Sequence, residues 1–255
     1  FTADGASVPY DRLVISTGSL PLMPPVPGID LDGVVAFRHA DDCERIRGRA
    51  GSGSKAVIIG GGLLGLEAAG ALLSMGMDVT VVHLMDRLME RQLDKVSSEM
   101  LREDLVRLGM KVFLNTKTAA IEGNGKIEKV RFTNGEAVGA DLVLVSAGIM
   151  PDIALAKASN LYCERGIIVS DTMQTYDPAV YALGECVQHR GKTFGLVAPI
   201  FDQARVVANQ LAGDGRKPFK SMPTSARLKV SGVDLYSAGD LDLRVDDSVE
   251  YLDRK

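Results

Sequence analysis

The stretch Lys55-Ala56-Val57-Ile58-Ile59-Gly60-Gly61-Gly62-Leu63-Leu64-Gly65-Leu66-Glu67 carries the residue spacing in this chain best suited to chemistry. An apolar, β-rich run feeds into Gly-x-Gly-x-x-Gly at Gly60, Gly62 and Gly65, and a helical pattern follows. Glycine at the first position permits a tight turn. At the second it lets the backbone approach a pyrophosphate, and at the third it lets the helix pack closely on its strand. A helix opening near Leu63 and Leu64 would aim its free N–H groups and positive end at two phosphates. In a chain with 27 glycines the spacing alone carries little weight, and a bare strand-to-helix turn is the alternative. Strand candidates at 55–59 and 78–84 supply the βαβ context that turns the pattern into a dinucleotide site.

Glu67 lies about one and a half turns into that helix, so its carboxylate would meet the nicotinamide end of a dinucleotide rather than the phosphates. A helix acid satisfied by a nearby donor is the plainer reading. His83 ends the second strand, where an NAD-specific domain carries Asp or Glu on the adenosine ribose hydroxyls. Histidine cannot give that bidentate contact. When charged it could accommodate a 2′-phosphate, and Arg87 is close enough in sequence to reach one, while Asp86 pulls the other way. The choice between NADH and NADPH stays open, dual use is admissible, and a solvent-facing strand-end histidine is the alternative. Gly148, with Ile149-Met150-Pro151, would form the loop over the nicotinamide, since ligands meet the carboxyl ends of strands in such sheets. Arg190 and Lys192 read as a solvated loop, and Met85, Met89 and Met100 as core packing.

The elements that must position these groups need a sizeable core, and 255 residues at 46% hydrophobic content can bury one large domain or two modest ones. With 29 basic and 33 acidic residues spread through the sequence, the formal charge is −4, which leaves no electrostatic footprint for nucleic acid. Glycine or charge interrupts each apolar run before the roughly 20 residues of a membrane span, and no leader pattern opens the sequence, so the cytoplasm is the expected compartment. Cys43, Cys163 and Cys186 form no Cys-x-x-Cys pair; Cys186 reads as a small buried hydrophobe, with a reactive thiol as the alternative. His39, His83 and His189 lack metal-like spacing. The start at Phe1 and the charged end suggest a piece of something longer.

Residues 10–16 form a strand candidate that stops at Thr17-Gly18, and a proline-rich connector follows. Periodicity predicts helices over 40–49, 93–108 and 200–211, with strands at 111–114, 166–169 and 180–183. Turn signals at Gly123-Asn124-Gly125 and Thr133-Asn134-Gly135-Glu136 predict a small antiparallel meander. The apolar strand at 141–146 ends in Ala147-Gly148, much as the strand before Thr17-Gly18 does. The two bracket the nucleotide unit, as in a domain inserted into another near Gly18 and Gly148. After Pro218 the pattern turns short and β-like, at 227–230 and 234–237.

Tyr-Asp-Arg-Leu-Val-Ile-Ser-Thr-Gly-Ser at 10–19, Gly-Gly-Gly-Leu-Leu-Gly-Leu-Glu-Ala-Ala at 60–69 and Val-Tyr-Ala-Leu-Gly-Glu-Cys-Val-Gln-His-Arg-Gly at 180–191 form a set of three motifs. By them the chain resembles the pyridine-nucleotide-disulfide reductase superfamily. Within it, Val-Thr-Val-Val-His-Leu-Met-Asp-Arg-Leu-Met-Glu-Arg-Gln-Leu-Asp at 79–94, Gly-Glu-Cys-Val-Gln-His at 184–189 and Leu-Lys-Val-Ser-Gly-Val-Asp at 228–234 resemble the flavoprotein portion of the nitrite reductase large-subunit branch.

The resemblance implies an α/β, two-dinucleotide-binding-domain flavoprotein reductase fold, with a Rossmann-like NAD(P)H domain inserted into an FAD domain. Its implied segments are 1–50 as the end of the first FAD part and connector, 51–148 as the NAD(P)H domain with its meander, 149–215 as the returning FAD part, and 216–255 as the start of a further domain. Thr17 and Gly18 would sit at the crossover beside the flavin. Gly184 and Glu185 would hold the ribityl chain, with glutamate one methylene longer than the family's aspartate. Glu67 would lie near the flavin and nicotinamide rings. The FAD site is incomplete, because the family's upstream Gly-x-Gly-x-x-Gly is not in this sequence. The implied activity is hydride transfer from NAD(P)H to FAD, and in a longer parent protein onward transfer to an iron–sulfur domain and siroheme that reduce nitrite to ammonia. A homodimer is an admissible assembly. The rival readings are a rubredoxin- or ferredoxin-reductase-like flavoprotein, an NADH oxidase-like enzyme, or a non-catalytic NAD(P)-binding module.

Overall fold

The computed structural model describes residues 5–215, 217–222, 225–230 and 232–239. In chain order, three short strands open it: β1 (Leu13–Ile15), β2 (Ser19–Pro21) and β3 (Val34–Ala36). Next come α1 (Ala40–Arg49), β4 (Lys55–Ile59), α2 (Leu63–Ser74), β5 (Asp78–Val82), α3 (Lys95–Arg107) and β6 (Lys111–Phe113). The meander strands are β7 (Thr118–Glu122), β8 (Lys129–Phe132) and β9 (Ala137–Gly139), followed by β10 (Leu142–Val145) and β11 (Ile149–Pro151). The remainder is α4 (Ala154–Ala158), β12 (Ile167–Val169), β13 (Val180–Ala182), β14 (Val187–His189), β15 (Lys192–Thr193), α5 (Val197–Leu211), β16 (Ser225–Val230) and β17 (Val233–Ala238).

Two compact units share the chain. The first takes Phe1–Pro21 and Ile149–Thr224, the second Leu22–Gly148 and Ser225–Lys255. This division departs from the expected segments in two places. Residues 22–50 belong with the nucleotide unit, because β3 pairs in parallel with β10 and extends its sheet. The described residues after 225 also join that unit: Val230 packs on Gly70 of α2, and Ser237 Oγ donates to the Gln92 carbonyl at 2.5 Å. Alternation of apolar and exposed residues in Ser225–Val230 drives this, since Ala226, Leu228 and Val230 need a covered face and α2 supplies one. The expected further domain beyond 239 lies outside the described residues.

The second unit is built on a five-stranded sheet in the order β3-β10-β4-β5-β6, with every pairing parallel. Strands covered on both sides read as continuous apolar runs, which is why Lys55–Ile59 and Leu142–Val145 show little polar alternation. Ala56 and Ile58 turn to one face and join Leu66, Leu72, Leu101 and Leu105 in a core with the helices. Val57 and Ile59 turn to the other and pack with Val130 and Phe132 of the meander β7-β8-β9. Helix α3 begins after Asp94, whose carboxylate accepts the Ser97 N–H at 2.7 Å, two residues later than the apolar pattern alone indicates.

In the first unit β1 runs parallel to β13, β2 pairs antiparallel with β11, and β12-β14-β15 form a small sheet. The β2–β11 pair begins just after Gly18 and Gly148, the two positions expected to bracket the inserted unit. Helix α5 starts at Val197, three residues earlier than its predicted start. Its buried face is Pro199, Gln203, Val206 and Val207, while the apolar Phe201 is exposed. Among the described residues no helix is long and apolar enough to cross a membrane.

Candidate functional site

In the second unit the glycine turn sits where β4 meets α2, and its glycines serve different physical ends. Gly60 has φ +125°, and a Cβ there would lie 2.1 Å from the Ser146 carbonyl oxygen, so only glycine fits against β10's exit. Gly65 is excluded from larger residues by the Gly60 oxygen, 2.2 Å from an added Cβ, which holds helix and strand close. A Cβ on Gly62 would meet no atom of the described residues within 4 Å. Its vacancy is on the outer side of the turn, where close backbone approach would serve a ligand rather than the fold.

Gly62 caps α2, so helix geometry leaves the N–H groups of Leu63, Leu64 and Gly65 without partners inside the helix. No acidic residue stands in the first turn to oppose an anion. The residues present therefore fit a pyrophosphate.

His83 is buried at 8% exposure rather than facing solvent: its Nδ1 accepts the Gly61 N–H at 3.0 Å, and its Nε2 lies 3.1 Å from Glu90 Oε2. On the other side of the turn the Met89 N–H donates to the Gly61 carbonyl at 3.0 Å. Met89 takes the left-handed conformation at φ 49° while wholly buried. Met85 and Met100 are both 45% exposed, so of the three methionines expected in the core only Met89 is there. Arg87 pairs with Asp86 at 3.2 Å, and its Nε is buried without a partner among the described residues. Glu67 Oε1 accepts the Lys229 N–H at 3.2 Å, so part of this carboxylate's capacity goes to β16. The Gly148 carbonyl accepts the Leu22 N–H.

In the first unit, parallel β1 and β13 bring their carboxyl ends together, and with them two motifs far apart in sequence. Ser19 Oγ donates to Glu185 Oε2 at 2.7 Å. Thr17 Oγ1 donates to the Asp152 carbonyl at 2.6 Å, and the Gly18 carbonyl accepts the Asp152 N–H. Beneath them Gln203, fully buried on α5, accepts the Gly184 N–H at 2.7 Å, while its Nε2 has no partner among the described residues. Sequence reasoning missed Gln203. Polar residues Asp202, Gln203 and Arg205 stand close together on α5, and nothing in their local pattern singles out Gln203 as the buried one.

Cys186 is wholly buried, with Sγ 3.2 Å from the Leu183 carbonyl, as a small core residue would be. Burial pushes the Cys163 thiol pKa up. Arg190 makes two bonds to Asp171, at 2.9 and 2.6 Å, and buried His189 adds a third through Nε2 at 2.8 Å. Arg190 first, then His189, holds the Asp171 pKa down at about 2. Arg190, Lys192 and Asp171 border a cleft of about 370 Å³ with Phe219 and Lys220, all within the first unit.

A parallel sheet with its glycine turn at a strand-to-helix junction defines a Rossmann-like dinucleotide-binding protein of the α/β class. The chain belongs to the pyridine nucleotide-disulphide oxidoreductase family, which residues 2–206 match. It is 47% identical over 232 residues to the nitrite reductase [NAD(P)H] of Bacillus subtilis (strain 168), covering 91% of this chain and 29% of that protein. It is 41% identical to the assimilatory nitrate reductase electron transfer subunit of the same organism, covering 90% of this chain and 30% of that protein. The chain thus spans less than a third of the length of these curated relatives. Its fold matches the NAD-dependent persulfide reductase from A. fulgidus with a TM-score of 0.86 and 34% identity, over 91% of this chain and 44% of that one.

Proposed function

We propose that this chain is the nucleotide-handling part of a FAD-dependent NAD(P)H oxidoreductase. In a longer protein, electrons would pass onward to iron–sulfur and siroheme centres that reduce nitrite to ammonia. The observation that carries the reading is the glycine turn: two glycines demanded by the protein's own packing and a third, Gly62, open on its outer side at a helix N-terminus. When bound, NAD(P)H supplies a hydride and FAD accepts it, so the cofactors carry the chemistry.

The protein's part is binding and orientation. Leu63, Leu64 and Gly65 offer N–H groups to the pyrophosphate of the nicotinamide coenzyme. Thr17, Gly18, Gly184 and Glu185 gather at one strand end and would hold the sugar-alcohol side of FAD, with Ser19 fixing the Glu185 carboxylate. Glu67 and Gly148 would border the nicotinamide. Alignment of donor and acceptor suffices for hydride transfer, and no side-chain acid or base is required of this chain. Likeness to the nitrite reductase and to the electron transfer subunit supports an electron-accepting domain or protein as the next carrier; an iron–sulfur centre there is part of the proposal.

The test is the visible spectrum of the purified chain with FAD, before and after anaerobic NADH, beside a calorimetric NADH titration. Flavin bands that bleach on NADH support the full reading. Bound flavin that does not bleach overturns hydride transfer, and failure to bind NADH or NADPH overturns the nucleotide site.

A further inference from the structure

The contact between His83 and the glycine turn reaches beyond turn geometry. Resting on the reading that this turn takes a dinucleotide pyrophosphate, we propose that His83 is a positioning residue that ties the turn to Glu90, and that Glu90 is the carboxylate that recognises the adenosine ribose and selects NADH.

The end of β5 lies beside the turn, since the Gly60 N–H donates to the Val82 carbonyl at 2.9 Å. A dinucleotide laid on the turn therefore carries its adenosine ribose over that end, where a carboxylate on the 2′- and 3′-hydroxyls favours NADH. The residue at that point, His83, points inward. Because Nδ1 accepts the Gly61 N–H, the neutral ring carries its proton on Nε2 and donates it to Glu90 Oε2. The imidazole thus fills the site's floor and hands the carboxylate role to a residue seven positions further along (90 − 83).

Glu90 is suited to it. Its side chain is 26% exposed, and among the described residues Oε1 has no hydrogen-bond partner, so one oxygen is fixed and the other is left to a ligand. The segment that carries it is held by the Met89 N–H on the Gly61 carbonyl, with Met89 in a conformation that non-glycine residues rarely adopt. Arg87, the cation that the sequence offers to a 2′-phosphate, is paired with Asp86 through Nη1, and Arg91 is the other, exposed cation of this segment. A phosphate brought to Glu90 would meet a like charge.

The experiment titrates NADH and NADPH separately into the full chain and into Glu90→Gln, His83→Asn and His83→Gln, with a thermal melt of each. Asparagine can present an oxygen near the Nδ1 position, and glutamine an amide N–H near the Nε2 position, so the two histidine variants separate the halves of the bridge. The unaltered chain binds NADH about tenfold tighter than NADPH or better. Glu90→Gln and His83→Asn bring the two affinities within about threefold of one another, whereas His83→Gln frees Gly61 and weakens both coenzymes with their ratio kept. A ratio unchanged in Glu90→Gln, whose side chain is partly exposed and not needed for the core, overturns the proposal while leaving the pyrophosphate reading intact. No binding of either coenzyme to the unaltered chain overturns both.

Discussion

Ser19 and Glu185 stand 166 residues apart in sequence and are joined by a hydrogen bond of 2.7 Å between Oγ and Oε2. The bond closes the carboxyl ends of two parallel strands that belong to opposite ends of the first unit. Ser19 is 5% exposed, so Ser19→Ala removes one buried donor from the Glu185 carboxylate. The variant should lose about 1 kcal/mol of stability, read as a lower urea midpoint at unchanged slope. An unchanged midpoint would mean that water replaces the serine and that the link is not structural.

Gly60 and Gly62 are two residues apart and should respond in opposite ways. Gly60→Ala places a Cβ against the Ser146 carbonyl in a left-handed backbone, with an expected loss of about 3 kcal/mol or more. Gly62→Val meets open space on the protein side, so the melting temperature should fall by only the few degrees that valine costs at a helix N-cap, while NADH affinity falls about tenfold or more. Full NADH affinity in Gly62→Val would remove the pyrophosphate from this turn.

Asp171 sets an acid-side dependence of stability. Its pKa is held at about 2 by Arg190 and His189, below the roughly 3.9 of an unfolded aspartate. A depressed carboxylate contributes stability that is present above the unfolded value and is lost as pH falls through the folded one. The melting temperature of Asp171→Asn should therefore lie below that of the unaltered chain at pH 6, and the gap should close between about pH 4 and about pH 2. A gap independent of pH would assign the effect to packing around Phe219, whose N–H donates to the Asp171 carbonyl, rather than to charge.

The thiols should separate in a timed reaction with a disulfide reagent. Cys43 is exposed and reacts first; Cys163, partly covered and with its pKa raised by burial, follows. Cys186 waits for unfolding, because it has no exposed surface. Fast labelling of Cys186 in the folded chain would point to opening of the β1–β13 strand end.

Local pattern alone specifies much of this molecule. The helix at Ala40–Arg49, the turn at Gly60–Gly65 and the parallel strands at Lys55–Ile59 and Leu142–Val145 follow from periodicity, glycine placement and apolar runs. These signals act over a few residues, and the chemistry of each is complete within its own segment. The motifs at Thr17-Gly18 and Gly184-Glu185 are equally legible as motifs.

What only the tertiary structure decided is which of these segments meet and which way their side chains turn. Nothing near His83 in sequence says that its ring is spent on Gly61 and Glu90, or that Glu67 serves the Lys229 N–H. Gln203 was hidden for the same reason, since it is buried beside the apolar Pro199, Val206 and Val207 and only the packing on α5 shows which polar residue goes in with them. Strands β2 and β11 are three residues each and find their stability in pairing across the two crossings, so neither announces itself. Hydrogen bonds between distant segments depend on where the backbone carries them, and that follows from the whole packing of the sheet rather than from any window of residues.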